Sequence, residues 1–539
     1  MAFRCMNCNG HMVFDVALQK MKCEHCDSVC EPSDFVLRDT SPEAGGKAYV
    51  TDEGMALFTC QNCAATLEAT DDSMIGICPY CGGQSMVKSP SEGYDVERII
   101  PFQVPKERCM ELYTNYAKGV RYLPKELKDP EFIQNFTGIY MPFFEYDAEF
   151  GDLHVTGSKT VESNSRYDVV NDYLITGEVQ GTYPRGVVFD GSKYLDDETS
   201  ARTLPFDSSY VRPFNPAYLA GFYADTSTVE PERYYEDAAI RAEEDMVGAV
   251  GLEVTSSTGI SVNNSSTVET TITGHHPVLY PMWFLTWRKE DRVAYAVING
   301  QSGEVVSDLP LDFRSFAVGC AIVAVLVFAI MEFLFQPTPL ITSLVSLGAA
   351  FFMARGIRMG AQREFEQQTH ANDVGWSGDE GEADANEKNE KGKRKRKRQK
   401  TGKDILSSIG SIAIFVFFAV AFVFSNLGGE LFSGGLLVNI ARFALPAVVI
   451  IYAISVLVRV MKWRKHFDHN DPAFAIIALM ATVVLNALVV FISPVNDGWY
   501  YLGDAVCILG LLISAIGMIR TYNTSTTRPL PKLFDRTEV

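Results

Sequence analysis

Over roughly the first 300 residues, apolar and polar positions alternate or recur at helical spacing; over the last 220 or so they give way to long apolar runs. Ile99-Ile100-Pro101-Phe102-Gln103-Val104 predicts a strand, and Pro105 opens a helix to about Lys118 with Cys109, Leu112, Tyr113 and Tyr116 on one face. From Phe143 to Phe150 the alternation is clean. Phe144, Tyr146, Ala148 and Phe150 fall on one side; Glu145, Asp147 and Glu149 fall on the other. Gly151-Asp152 then predicts a turn into Leu153–Val155, closing a hairpin. A second helix is expected from Pro231 to about Val247, with Tyr235, Ala238, Ala239, Ala242 and Met246 inward. Tyr280–Trp287 and Arg292–Ile298 read as a strand pair, followed by a turn at Asn299-Gly300 through Gly303. Residues 94–312 thus read as an α+β domain, mainly antiparallel.

Six apolar segments follow: Phe316–Phe335, Leu340–Ile357, Ile405–Asn426, Leu436–Val458, Ala473–Ile492 and Trp499–Ile519. At about 1.5 Å per residue each nearly or fully crosses ~30 Å of hydrocarbon, the second being the shortest. The expectation is an all-α membrane domain of about six transmembrane helices. It would comprise a hairpin over 316–357, a charged disordered linker over 361–403, a four-helix unit over 405–520 and a tail over 521–539. The loops after the first, third and fifth segments lack Lys and Arg. Arg314, Arg355, Arg358, the Lys391–Lys403 run, Arg459, Lys462, Arg464, Lys465 and Arg520 lie on the opposite flanks. The positive-inside rule then predicts a multi-pass cell-membrane protein with both termini in the cytoplasm. No cleaved leader is expected. Within the linker the Lys393–Arg398 run predicts a grip on anionic membrane lipids. Glu332, Arg442 and Asp504 fall near the outer ends of their predicted helices, and an Arg442–Asp504 or Arg442–Glu332 pair is expected there.

Charge sharpens this picture. Residues 1–90 carry 6 Lys/Arg against 12 Asp/Glu, and residues 91–315 carry 19 against 36. Nucleic-acid affinity comes largely from Lys and Arg neutralising phosphates, so an acidic N-terminal half argues against a non-specific nucleic-acid partner.

The chemistry lies in the cysteines. Cys5, Cys8, Cys23 and Cys26 form one set of two Cys-x-x-Cys pairs; Cys60, Cys63, Cys78 and Cys81 repeat it 55 positions later. Each Cys-x-x-Cys turn aims two sulfurs at one centre, and two turns close a tetrahedron of thiolates around Zn2+. Two structural zinc ions are expected: ribbon 1 over 1–30, a polar linker over 31–59 and ribbon 2 over 60–84. In ribbon 2, Thr66–Ala69 and Met74–Ile77 read as the strands of a hairpin turning at Asp71-Asp72-Ser73. His11, His25 and Cys30 are close enough to compete as ligands and read as spare. Disulfides would need an oxidising compartment, and a redox motif would need one Cys-x-x-Cys beside a βαβ unit. With four protein ligands per ion, no open catalytic position is expected.

Little else in the soluble part carries chemistry. His275-His276 has no Cys or carboxylate at ligand spacing and reads as an exposed loop pair; Glu145, Asp147 and Glu149 read as a solvated sheet face. No P-loop, Gly-x-Ser-x-Gly or dinucleotide fingerprint is present, so neither catalytic nor cofactor-binding residues are expected.

Several stretches carry a resemblance: Cys78-Pro79-Tyr80-Cys81-Gly82-Gly83, Ile100-Pro101-Phe102, Gly138–Phe144, Phe214–Tyr218, Tyr280–Trp283 and Asn299–Gly303. Over roughly residues 60–335 the chain resembles a bacterial family of membrane-anchored proteins with a TFIIB-type zinc ribbon, some labelled primosomal-helicase-like. That resemblance implies a non-enzymatic scaffold, zinc on Cys60, Cys63, Cys78 and Cys81, and protein partners of SPFH or phage-shock envelope-stress type. The N-terminal ribbon, the charged linker and the last four apolar segments lie outside it. The expected function is a membrane adaptor recruiting a protein partner; the alternative is a membrane-bound nucleic-acid regulator using the ribbons.

Overall fold

The computed structural model describes residues 3–34, 55–61, 63, 65–70, 78–82, 86–90, 96–334 (apart from 164–167, 180–181, 194, 264–265 and 291), 339–368, 454, 458, 473–492 and 494–529. A small three-stranded sheet is formed by β1 (Met12–Asp15), β2 (Lys20–Cys23) and β3 (Val29–Cys30). Among the described residues all other strands belong to one large sheet. Its spine is β8 (Thr137–Ser163) against β14 (Thr267–Lys289), antiparallel from Thr137↔Phe284 to His154↔Thr267.

Around this spine lie β7 (Arg98–Ile99), β9 (Asp168–Glu178), β10 (Thr182–Asp190), β11 (Arg212–Pro213), β12 (Tyr223–Asp225) and β13 (Ser261–Val262). Beyond β14 come β15 (Arg292–Asn299), β16 (Val305–Ser307) and, from the far end of the chain, β17 (Arg528–Pro529). The second cysteine set brings β4 (Met55–Cys60), β5 (Thr66–Thr70) and β6 (Met86–Pro90) into the same sheet through β5·β12. Pairings β12·β8 and β14·β7 are parallel and short, and the other pairings are antiparallel, so the sheet is mixed.

Period-two alternation explains where the core sits. Tyr140 of β8 and Leu279, Trp283, Leu285 and Trp287 of β14 point to one face. There they meet Phe102 and Cys109 and Tyr113 of α1 (Lys106–Gly119). Ile139, Met141 and Phe143 of β8, with Val278, Tyr280, Met282 and Phe284 of β14, point to the other. With both faces covered, the central stretch reads as a near-continuous apolar run, as a doubly buried strand must. Farther along, Phe144, Tyr146, Ala148 and Phe150 pack under α2 (Tyr235–Thr258), which buries Ala238 and Ala242.

Three local expectations change. Gly151-Asp152 is no turn: β8 runs straight through for 27 residues, because β9 and β14 pair with it on either side of that point. Of the acidic row only Glu149 is exposed. Glu145 is buried, accepting from Tyr280 Oη at 2.8 Å and Arg98 Nη1 at 3.2 Å. Asp147 Oδ2 faces His276 Nε2 at 3.0 Å, while Glu97 Oε2 faces Nδ1 at 3.1 Å. His275-His276 therefore lies in β14, half-buried, with His275 Nδ1 3.0 Å from Tyr235 Oη.

The six-helix membrane domain is also corrected. Four long helices are described after the sheet domain: α3 (Phe313–Leu334), α4 (Pro339–Gln368), α5 (Ala473–Ile492) and α6 (Gly498–Ser525). Among the described residues only two are long and apolar enough to cross a membrane, Phe313–Ile330 and Gly498–Ser525; Ala475–Val489 is a shorter apolar helix. Helix α4 carries Arg355 and Arg358 and buries Leu347, Ala350, Met353, Ala354 and Ile357 as a packed core helix does. Ile405–Asn426, Arg442, the Lys391–Lys403 run and all of Leu436–Val458 except Ile454 and Val458 lie outside the described residues. The multi-pass topology, and the cytoplasmic placement of both termini read from it, required six spans and are not supported.

Buried Glu145 makes the first prediction. Removing Arg98 leaves a carboxylate in the core, so Arg98→Met should cost about 3–5 kcal/mol, whereas Arg98→Met with Glu145→Met should recover most of that loss. Urea unfolding of the two variants, followed by tryptophan fluorescence, measures the difference.

Candidate metal centres

Backbone geometry builds each cysteine turn. In the first set, Asn9 N donates to Cys5 O at 2.8 Å and Asp27 N to Cys23 O at 3.1 Å. Asn7 N and Gly10 N point at the Cys5 and Cys8 sulfurs, each at 3.4 Å. In the second set, Gly82 N donates to Cys78 O at 2.8 Å. Asn9, Asp27 and Gly82, each following the second cysteine of a pair, have positive φ, which Asn, Asp and Gly adopt most cheaply. Gly10 sits in close quarters: a Cβ there would lie 3.1 Å from the Cys8 sulfur and 3.2 Å from that of Cys23.

The eight predicted ligands gather into two sets of four, each with its sulfurs within 4.8 Å of one another. Cys5···Cys26 is 3.5 Å and Cys8···Cys23 3.4 Å; Cys60···Cys81 is 3.5 Å and Cys63···Cys78 3.7 Å. A metal–sulfur bond near ~2.3 Å gives a tetrahedral edge of about 3.8 Å, so both sets are compatible with one tetrahedral metal ion each. His11 stands against Glu24 at 3.4 Å and Cys30 donates to Met12 Sδ at 3.9 Å; neither joins the first set.

Electrostatics favours a cation at each centre. Four thiols this close cannot ionise together alone, so their proton affinities split. The Ser28 hydroxyl, then the Ser28 amide, lower Cys26 to about 6, while Cys8 is pushed up to about 12 chiefly by Cys26. In the second set Cys60 is lowered by hydrogen bonding from Cys63, and Cys63 and Cys78 are raised by Cys60. A divalent ion replaces those shared protons and lets all four sulfurs be thiolates.

Neither centre is a detached finger. Met12, Phe14 and Met21 of the first set join the core on the Trp283 face. Phe14 N donates to Ala220 O at 2.9 Å, Gln19 Nε2 to Phe102 O at 2.7 Å, and Asn215 Nδ2 to Pro32 O at 3.0 Å. All four sulfurs of the second set are buried and join the core on the Tyr280 face. Thr286 Oγ1 donates to Pro79 O, and Tyr295 Oη to Tyr80 O, both in the Cys78–Cys81 turn. The Tyr80 phenol is pushed well above its usual range by full burial, and Asp225 beside it is raised to about 6 by the same cause.

The hairpin partner of Thr66–Thr70 is Met55–Cys60, from the stretch read as linker; residues 71–77 lie outside the described residues. Sequence reasoning missed Tyr295, Thr286 and Ala220, which brace the centres across more than 200 residues or from the far side of the sheet. No local spacing announces such partners.

The two centres differ in access: Cys8 and Cys26 are exposed, whereas every ligand of the second set is buried. A chelator should strip bound metal in two phases, the first centre faster. Cys8→Ser should remove the fast phase alone, as followed with a chromogenic chelator. Cys60→Ser should lower the melting temperature of the whole sheet domain, because its centre lies inside that core.

The chain is similar to an uncharacterized protein, YdjG, of Bacillus subtilis (strain 168), at 25% identity over 328 residues, 58% of this chain and 90% of that protein. No family model and no solved structure matches the chain.

Proposed function

We propose that the protein is a non-enzymatic adaptor whose two structural zinc ions brace a sheet domain that recruits a protein partner at a membrane. The observation carrying this is the closure of both centres. Each tetrad supplies four thiolates, the set that suits zinc, and leaves no open position for a substrate or water. Membrane attachment is supported by α3, whose Val318, Ile322, Val325, Leu326 and Phe333 are all exposed apolar side chains.

Recruitment is assigned to the arm formed by the far half of β8 with β9. Among the described residues β9 pairs with β8 alone, so its outer edge is open. Val161, Val169, Val170, Tyr173 and Leu174 are exposed along that arm. An open edge with apolar side chains favours addition of an extended strand from another protein. The family resemblance supports an envelope-stress protein of SPFH or phage-shock type as that partner.

Two measurements test the reading. Purified protein should carry near two equivalents of zinc by plasma mass spectrometry; iron, or an absence of metal, overturns it. Crosslinking from intact membranes should recover one partner with the native chain and lose it with Val170→Lys/Leu174→Lys, zinc content unchanged. Recovery undiminished by that pair of substitutions rules out the β9 edge.

A further inference from the structure

The open edge of β9 carries a charge pattern as well as an apolar one. Side chains alternate along a strand, so Asp168, Val170, Asp172, Leu174, Thr176 and Glu178 share one face of it. That face is the more open of the two: Val170 is 51% exposed and Leu174 65%, against 38% for Val169 and 37% for Tyr173 on the other. Acidic and apolar positions thus interleave along the outermost strand of the arm.

Among the described residues no cation answers these carboxylates. Lys159 is the only lysine or arginine in β8 and β9. It lies across from Asn171, on the opposite face, and its Nζ donates to Thr258 O at 2.7 Å. Asp168 accepts from Ser163 Oγ at 2.5 Å. The side chains of Asp172 and Glu178 are exposed and have no hydrogen bond or ion pair among the described residues. Glu178 also lies directly across from exposed Asp152, and like charges so placed cost free energy in a sheet. Nor is the edge blunted, because β9 contains no lysine and no proline.

We propose that the strand this edge accepts is basic: an extended segment of another protein with lysine or arginine opposite Asp168, Asp172 and Glu178 and apolar residues opposite Val170 and Leu174. The inference rests on the reading of β9 as the recruiting edge and adds the chemistry of its partner. Opposite charges facing each other across a strand pair stabilise it, and complementary potentials select one partner over another. The same pattern disfavours a second copy of this chain. Two β9 strands paired antiparallel over all 11 residues would set Asp168 against Glu178 at both ends. An anionic lipid surface would be repelled likewise.

The test uses the intact protein in detergent and two fluorescent peptides as long as β9. The first, Lys-Val-Thr-Val-Ile-Thr-Lys-Thr-Val-Thr-Lys, sets its lysines against Glu178, Asp172 and Asp168 when paired antiparallel; the second carries Glu in place of each Lys. By fluorescence anisotropy the basic peptide should bind about tenfold more tightly at low salt, the gap narrowing as salt is raised. Asp172→Lys/Glu178→Lys should reverse the preference toward the acidic peptide, a change that loss of folding cannot produce. Equal affinity for the two peptides, or a basic preference that survives Asp172→Lys/Glu178→Lys, overturns the inference; if Val170→Lys/Leu174→Lys still prevents binding, the edge reading stands without it. Binding of neither peptide also overturns the inference, and the crosslinking of Val170→Lys/Leu174→Lys then decides the edge reading separately. A sedimentation mass twice that of one chain, halved by Val170→Lys/Leu174→Lys, would assign the edge to a second copy and overturn it too.

Discussion

The structure depends on one constraint: the β8–β14 pair is apolar on both faces, so both faces must be covered. Helix α1 alone cannot cover one of them, and little regular structure is available to cover the other. The two cysteine centres supply the missing cover. Met12, Phe14 and Met21 come down on one face, and Phe58, Leu67, Tyr80 and the four second-set sulfurs on the other. A ribbon of this size cannot hold its shape by burial alone, so a metal ion bound at each tetrad would supply its folding free energy. Because each ribbon is also a lid on the sheet, that free energy would stabilise the sheet. Metal occupancy and the integrity of the domain would then be one equilibrium, which a pair of independent zinc fingers would not show.

How much of this the sequence reveals follows from the range of each interaction. Turn-forming cysteine pairs are local: the ligand distances, the Gly10 and Gly82 positions and the register of Trp283 against Ile298 are written within short stretches. The role of Glu145 is not. A carboxylate in clean alternation with Phe144 and Tyr146 looks solvated, and only the pairing of β14 with β8 on one side and β7 on the other brings Tyr280 and Arg98 to it. The β8 arm misleads for a similar reason. Gly151-Asp152 has the composition of a turn, yet strands on both sides hold the backbone extended there.

Hydropathy misleads over the helices because it does not distinguish burial against protein from burial in lipid. Helix α4 reads as apolar over Leu340–Ile357, yet Ala350, Met353, Ala354 and Ile357 are spent on α5 and α6. Close approach is what small residues permit: the Gly356 backbone abuts Met518, and Gly510 abuts Thr482. Helix α3 is the opposite case, with apolar side chains facing outward along its length. Composition alone ranks these helices together; packing separates them.

The same packing explains how the helices report to the sheet. Helix α6 ends on the domain rather than beside it. Arg520 lies over the Phe313 ring at 5.1 Å, and the Asn523 side chain makes two 2.8 Å hydrogen bonds with the Leu311 backbone. Arg292 Nη2 takes hold of Thr524 O at 2.7 Å and Thr527 O at 2.6 Å, and β17 then continues the edge of β15. There Arg528 meets Asp196 and stands 5.6 Å over the ring of Tyr295, its pKa lowered by burial to about 10. Tyr295 is the residue whose hydroxyl holds the carbonyl of Tyr80 in the second cysteine turn. Between the last turn of α6 and the second cysteine turn there are thus only a strand of two residues, one arginine and one phenol. A displacement of α6 cannot leave that turn untouched unless one of those contacts breaks, which makes the second centre, buried as it is, the one mechanically tied to the helices.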